Sequence, residues 1–239
     1  MIRLENINMN YGKGDIFSDL TFKIEKNKVT TIIGESGCGK TTILNIIAGI
    51  VKTFRGDIIS DEDIEISYMF QESRLLPWKT VYENIRFVLK DNVPENQVED
   101  RIAKALEIVN MQEHRNEYPN NLSGGMKQRV ALARSIAFPS NIILMDEPFS
   151  GLDYYRKVQL IDDFNRMVKD INKTIILVTH DITAALMFSD KIILLGNRPT
   201  EIIEEYEVGV ERQKRDILSK EIKDIEDQIY SSMRKLSRG

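Results

Sequence analysis

Apolar residues recur along this chain in two rhythms, every second position and every third or fourth, with short unbroken apolar runs between them. Ile2, Leu4 and Ile7 alternate with polar residues, and Leu20 to Ile24 does so again, which predicts two strands with one face toward solvent. Val29 to Ile33 is a β-branched run, and Ile43 to Ile47 continues as a helical stripe from near Lys40. Gly56 to Ile59 and Ile64 to Phe70 read as further strand. From Ser73 to Ala137 the character changes to helix. Val98, Ile102, Ala105, Leu106 and Val109 form one stripe, and KQRVALARSIAF forms a second amphipathic segment with Ser123 as its N-cap. NIILMDEP, Asn141 to Pro148, is the pattern of a strand buried on both faces, as is Thr174 to Thr179. Tyr154 to Lys169 reads as helix, Asp181 as the cap of another, and Lys191 to Leu195 and Ile202 to Val208 as the last strands. Beyond Glu211 the chain is highly charged. Leu218, Ile222, Ile225, Ile229 and Leu236 nevertheless share one helical face, which predicts a tail docked on its own domain.

Length and composition narrow this picture. A chain of 239 residues suits one α/β domain with a subdomain, and no apolar run approaches the roughly 20 residues that span a bilayer. The polar, strand-like start lacks the basic end and apolar core of a secretory signal, so the chain is expected to stay in the cytosol. A single cysteine, Cys38, excludes an intrachain disulfide and fits a reducing compartment. The net charge of −4 argues against a nucleic-acid partner.

The candidate chemistry centres on KVTTIIGESGCGKTTILNIIA, where a strand runs into a glycine-rich turn and out into a helix. Gly34, Gly39, Lys40 and Thr41 meet the pattern G-x-x-x-x-G-K-[ST], with Gly37 between them. Glycines let consecutive N–H groups turn inward toward a phosphate, and the helix start adds its own free N–H groups. Lys40 can reach the β- and γ-phosphates and Thr41 can take a Mg²⁺ position. Asp146 and Glu147 close a buried strand, where Asp146 is placed to hold Mg²⁺ and Glu147 to orient or deprotonate a water. Ser123 to Gly125 reads as a capped turn by composition and, with a phosphate loop upstream, as a second anion site at a helix start. Tyr11 is either strand-end packing or a base-stacking aromatic. His180, at the end of a buried strand, is either structural or a donor to a γ-phosphate. His114 shows no such placement.

In this order the residues resemble the ATP-binding subunit of an ATP-binding cassette (ABC) transporter over residues 1–210. The resemblance identifies Gly34 to Thr41 as Walker A, Gln71 as the Q-loop glutamine and Leu122 to Met126 as the LSGGQ-like signature. It likewise identifies Ile143 to Glu147 as Walker B with its following glutamate, Ser150 to Asp153 as the D-loop and His180 as the switch histidine. Tyr11 matches the family's adenine-stacking aromatic. Met126 departs from the common Gln, just past the phosphate-contacting Ser123 and Gly125. FQESRLLPWKTVYENI, LSGGMKQR and Asn197 to Pro199 are similar to importer ATPases of the nitrate, sulfonate and taurine group, which also includes subunits serving thiamine-precursor uptake.

The resemblance implies an α/β, P-loop NTPase core of ABC type with a mostly parallel sheet, an N-terminal antiparallel β subdomain and an inserted α-helical subdomain. Its expected division is 1–72 and 138–210 for the core with the β subdomain, 73–137 for the helical subdomain and 211–239 for a C-terminal helical tail. ATP and Mg²⁺ are the expected ligands. The nucleotide is expected at Tyr11, Gly34, Glu35, Ser36, Gly37, Cys38, Gly39, Lys40, Thr41 and Thr42, and at Ser123, Gly124, Gly125 and Asp153 of a second copy. Thr41, Gln71 and Asp146 are implied for the metal, and Glu147, His180, Gln71 and Lys40 for catalysis. A homodimer bound to membrane permease subunits is implied, peripheral on the cytoplasmic face and served indirectly by a solute-binding protein. The second reading is a soluble ABC ATPase of DNA repair or translation, whose long coiled coils or tandem cassettes this chain lacks. A non-hydrolysing scaffold is disfavoured by Glu147 and His180. The place of Cys38 predicts that alkylation blocks hydrolysis unless nucleotide is bound.

Overall fold

Strand and helix follow the two apolar rhythms closely in the computed structural model, which describes residues 1–236 apart from 11, 13 and 170. In chain order the elements are β1 (Ile2–Asn10), β2 (Asp15–Ile24), β3 (Val29–Ile33), α1 (Lys40–Ile47), β4 (Arg55–Ser60), β5 (Ile66–Met69), α2 (Val81–Leu89) and α3 (Glu95–Ile108). There follow α4 (Gly124–Ala137), β6 (Ile142–Asp146), α5 (Tyr154–Val168), β7 (Thr174–Thr179), α6 (Ile182–Phe188), β8 (Lys191–Leu195), β9 (Ile202–Glu207) and α7 (Lys220–Leu236). The chain forms two compact units, Met1–Ile64 with Lys173–Gly239, and Glu65–Asn172. Among the described residues no helix is long and apolar enough to cross a membrane.

In the first unit β1 pairs antiparallel with β2 on one side and β4 on the other. The alternation of β1 puts Ile2, Leu4, Ile7 and Met9 into the core and leaves Arg3 outside. Strand β2 starts at Asp15, earlier than the alternation from Leu20 suggested, because Ile16 and Phe17 are both buried there and break the period. The second sheet of this unit has the order β7-β3-β8-β9, with β3 parallel to β7 and β8, and β9 antiparallel to β8. Every residue of β3, β7 and β8 is buried, as expected of strands covered on both faces.

The tail packs onto this unit. Ile222 and Ile229 of α7 join a core with Ile33, Leu186, Ile192, Leu194 and Tyr206. Leu218 is not part of that face, since it precedes the first turn of α7 and stays exposed. Ahead of the helix, Arg215 donates from Nε to Val210 O (2.8 Å), from Nη1 to Leu186 O (2.9 Å) and from Nη2 to Val208 O (3.2 Å). Burial pushes its pKa down to about 10, an electrostatic cost that the three carbonyls offset.

The second unit holds β5, β6 and the helices α2 to α5, and so extends beyond the helix-rich stretch 73–137 on both sides. Strands β5 and β6 pair in parallel, Met69 opposite Met145. Helix α2 starts with a capping box in which Thr80 N donates to Glu83 Oε2 at 2.8 Å and Glu83 N to Thr80 Oγ1 at 3.2 Å. Helix α4 packs on α2, α3 and β5. Its Arg129 is ion-paired with Asp163 of α5, which also holds Arg166 at 2.6 Å.

Replacing Ile222 by Ala is expected to lower stability by about 2–5 kcal/mol, while Leu218→Ala changes it by less than about 0.5 kcal/mol. Urea unfolding of the two variants checks this, and equal effects would show that α7 is not docked.

Candidate functional site

The glycine-rich turn lies between β3 and α1. The register places Ile33 of β3 beside Thr179 of β7 and Leu194 of β8, so Gly34 and His180 leave neighbouring strands at the same level. Gly39 is the N-cap of α1 at φ 104°, and Gly37 has φ 86°, both in the left-handed region that favours glycine. A Cβ on Gly39 would also stand 2.8 Å from the Phe17 ring. No side chain caps α1 at Gly39.

Lys40 is only 8% exposed, and its Nζ donates to Gly34 O at 2.7 Å and Glu35 O at 2.8 Å. Both partners are neutral carbonyls. Glu35, Ser36, Gly37 and Thr41 are exposed, Thr42 is half-buried, and Cys38 is buried. Thr200, fully buried, donates from Oγ1 to Cys38 O and fixes the back of the turn. Burial pushes the Cys38 thiol above its usual range, with Lys40 partly opposing the shift. His180 is exposed beyond β7, just before Asp181, which caps α6 by accepting from Ala184 N at 2.9 Å. Tyr11 lies outside the described residues.

In the second unit Asp146 ends β6 and is 8% exposed. The next residue, Glu147, has φ 47° and is half-buried. A glutamate in the left-handed region costs on the order of 1–3 kcal/mol, and such strain collects where a side chain must point in one direction. Gln71, past the end of β5, is exposed, with Nε2 3.5 Å from Ser150 Oγ.

Ser123 caps α4 by accepting from Met126 N at 3.3 Å. Gly124 and Gly125 form its first turn without a left-handed φ, and a Cβ on either would meet nothing within 4 Å. Neither backbone conformation nor packing within the chain therefore calls for glycine here. A cleft of about 480 Å³ runs along Ser123 to Met126, Gly151, Leu152 and Arg156. Asp153 caps α5, accepting from Arg156 N at 3.1 Å, and its second oxygen lies 3.3 Å from Arg156 Nε.

The sequence reading missed Thr200, which bonds to the turn from 162 positions away, and the Arg129–Asp163 pair, 34 positions apart. Periodicity carries no signal at such separations. It also missed Asn84, a buried amide that accepts from Leu76 N at 2.8 Å and donates to the carbonyls of Leu76, Lys79 and Thr80. The loop so pinned presents Trp78, which is 70% exposed.

A family described as ABC transporter matches residues 17–150. The chain is 36% identical over 210 residues to the aliphatic sulfonates import ATP-binding protein SsuB 2 of Pseudomonas syringae pv. tomato, covering 87% of this chain and 88% of that protein. Among solved structures it is similar to the dimeric structure of MJ0796, a bacterial ABC transporter cassette, at TM-score 0.73 and 29% identity, covering 88% of this chain and 100% of that one. A post-hydrolysis dimeric state of MJ0796 bound to ADP and Pi matches at TM-score 0.72 and 28% identity, with the same coverage.

The burial of Cys38 replaces the expectation of nucleotide-dependent alkylation. Its raised pKa leaves less thiolate at pH 8 than an ordinary cysteine has, and the sulfur is covered by the loop itself. N-ethylmaleimide is expected to label the native chain at least about tenfold more slowly than the unfolded chain, with and without ATP alike. Rapid labelling of the native chain that ATP suppresses would restore the earlier expectation.

Proposed function

The chain belongs to the ABC transporter family, and from that premise we propose how its residues divide the work of an importer's ATP-hydrolysing subunit. In this reading the Lys40 ammonium and backbone N–H groups of the turn and of α1 hold the β- and γ-phosphates. Ser36 to Thr42 supply that shell, and Tyr11 stacks on the base. Thr41, Gln71 and Asp146 are the proposed oxygen donors for Mg²⁺, whose charge, when bound, would draw electron density from the phosphate oxygens. Glu147 orients and polarises the attacking water, a role its strained backbone supports. His180 and Gln71 sense the γ-phosphate.

Phosphoryl transfer is accelerated mainly by positioning and by charge stabilisation around the transferring group. We assign the donors beyond the loop to a second copy, whose Ser123, Gly124 and Gly125 cover the nucleotide while Asp153 ties the two sites together. The observation that carries this assignment is the pair Gly124 and Gly125, glycines that the fold of their own chain does not require. Donors supplied in trans can be worth on the order of 10³ to 10⁵ in rate, so hydrolysis follows closure of the pair.

The proposed permease contact lies on the second unit, where Trp78 and Phe87 are 70% and 57% exposed. An exposed tryptophan on a pinned loop suits an apolar helix seated in a groove. Such docking places the protein peripherally on the cytoplasmic face of the membrane, with a solute-binding protein as an indirect partner and no nucleic acid. The proposed cargo is of the nitrate, sulfonate and taurine group, in keeping with the sulfonate importer subunit it resembles.

Glu147→Gln is expected to keep ATP binding, lose at least about 10²-fold in turnover and run as an ATP-dependent dimer by size exclusion. Near-normal turnover would remove its assigned role. Gly125→Ala tests the trans assignment. Its melting temperature should hold or rise, since alanine in place of a helical glycine is worth up to about 1 kcal/mol, yet turnover should fall at least about tenfold with ATP binding retained. Full turnover of this variant would sink the assignment.

A further inference from the structure

Three backbone carbonyls of the segment that leaves β5 are held by side chains of one helix, α4. Gln128 Nε2 donates to Gln71 O at 3.3 Å, and Arg134 forks, Nη2 to Ser73 O and Nη1 to Arg74 O, both at 3.0 Å. The segment they hold is strained, with Arg74 at φ 43° and its guanidinium 3.9 Å above the Phe70 ring. The Gln128 grip is not one that stability alone would select. Gln128 leaves Oε1 buried with no partner among the described residues, a cost that an apolar side chain of similar size would avoid. Burial lowers the Arg134 pKa from the ordinary arginine range, a cost that its two carbonyls offset. The helix that makes these bonds begins at Gly124, with Ser123 as its cap, about one turn before Gln128.

We infer that Gln128 and Arg134 are positioning residues that lock the backbone from Gln71 to Arg74 onto α4, so that the Gln71 side chain and the Ser123 terminus move as one body. A displacement of Gln71 is then a displacement of the donors that the chain offers to its partner copy, which links the two ATP sites of a pair. The inference rests on the proposed roles of Gln71 and of Ser123 to Gly125.

Gln128→Leu separates this role from a structural one, because it removes the grip together with the unpaired oxygen. In the purified full-length chain with ATP and Mg²⁺, the expected result is an unchanged or raised melting temperature, a KM for ATP within about twofold and a kcat lower by about tenfold. In a Gln71→Ala background the same substitution should cause no further loss, since its effect passes through Gln71. An unchanged kcat in Gln128→Leu, a loss that comes with a lowered melting temperature, or an equal further loss in the Gln71→Ala background overturns the inference and leaves the role of Gln71 standing. Wild-type kcat in Gln71→Ala by itself overturns the reading of Gln71, whatever Gln128→Leu does.

Discussion

A lysine ammonium buried against neutral carbonyls is the interaction from which the rest of the first unit takes its sense. Lys40 is held by Gly34 O and Glu35 O, and neither can neutralise it. Two neutral carbonyls satisfy part of its hydrogen-bonding capacity, and an anionic ligand would complete it. The parts around it serve to make that arrangement rigid. Strand β3 is buried on both faces, Gly39 lies against Phe17, and Thr200 holds the carbonyl of Cys38. Because Ile33 also packs in the core that receives α7, the tail and the turn share one hydrophobic cluster.

The second unit uses the same physics of a helix N-terminus in a different setting. At α1 a glycine caps the helix because the chain must turn through the left-handed region. At α4 a serine caps it, and the two glycines that follow have ordinary backbone angles and open space around them. One set of glycines is required by the conformation of its own chain, and the other is not. A capped serine can still face a phosphate, because its hydroxyl accepts from Met126 N and keeps its own hydrogen to donate. Glu147 adds a third feature, a strained backbone at φ 47° just past the end of a buried strand.

Much of the fold was legible because burial imposes its period on the sequence. The unbroken runs Val29–Ile33 and Thr174–Thr179 became strands buried at every position, and the stripe of α7 carried Ile222 and Ile229 into the core. Legibility failed where burial and period part company. Ile16 and Phe17 are consecutive and both buried, which concealed the start of β2, and Leu218 fits the α7 stripe but lies outside the helix. Cys38 stands among glycines and a lysine, a setting that reads as open, and only the three-dimensional turn shows the sulfur folded under the loop.

The sequence by itself determined the order of elements and the glycine-rich turn between β3 and α1, because spacing along the chain is enough to specify a strand, a glycine turn and a helix start. Tertiary structure decided which polar groups hold one another across long separations. The bonds of Thr200 to Cys38, Arg215 to Leu186 and Arg134 to Ser73 join positions between which no periodicity runs. It also decided what each glycine is for. A glycine written in a sequence is only permission, and whether it serves a left-handed turn, a close neighbour or an approaching ligand depends on the backbone angle and the space beside it.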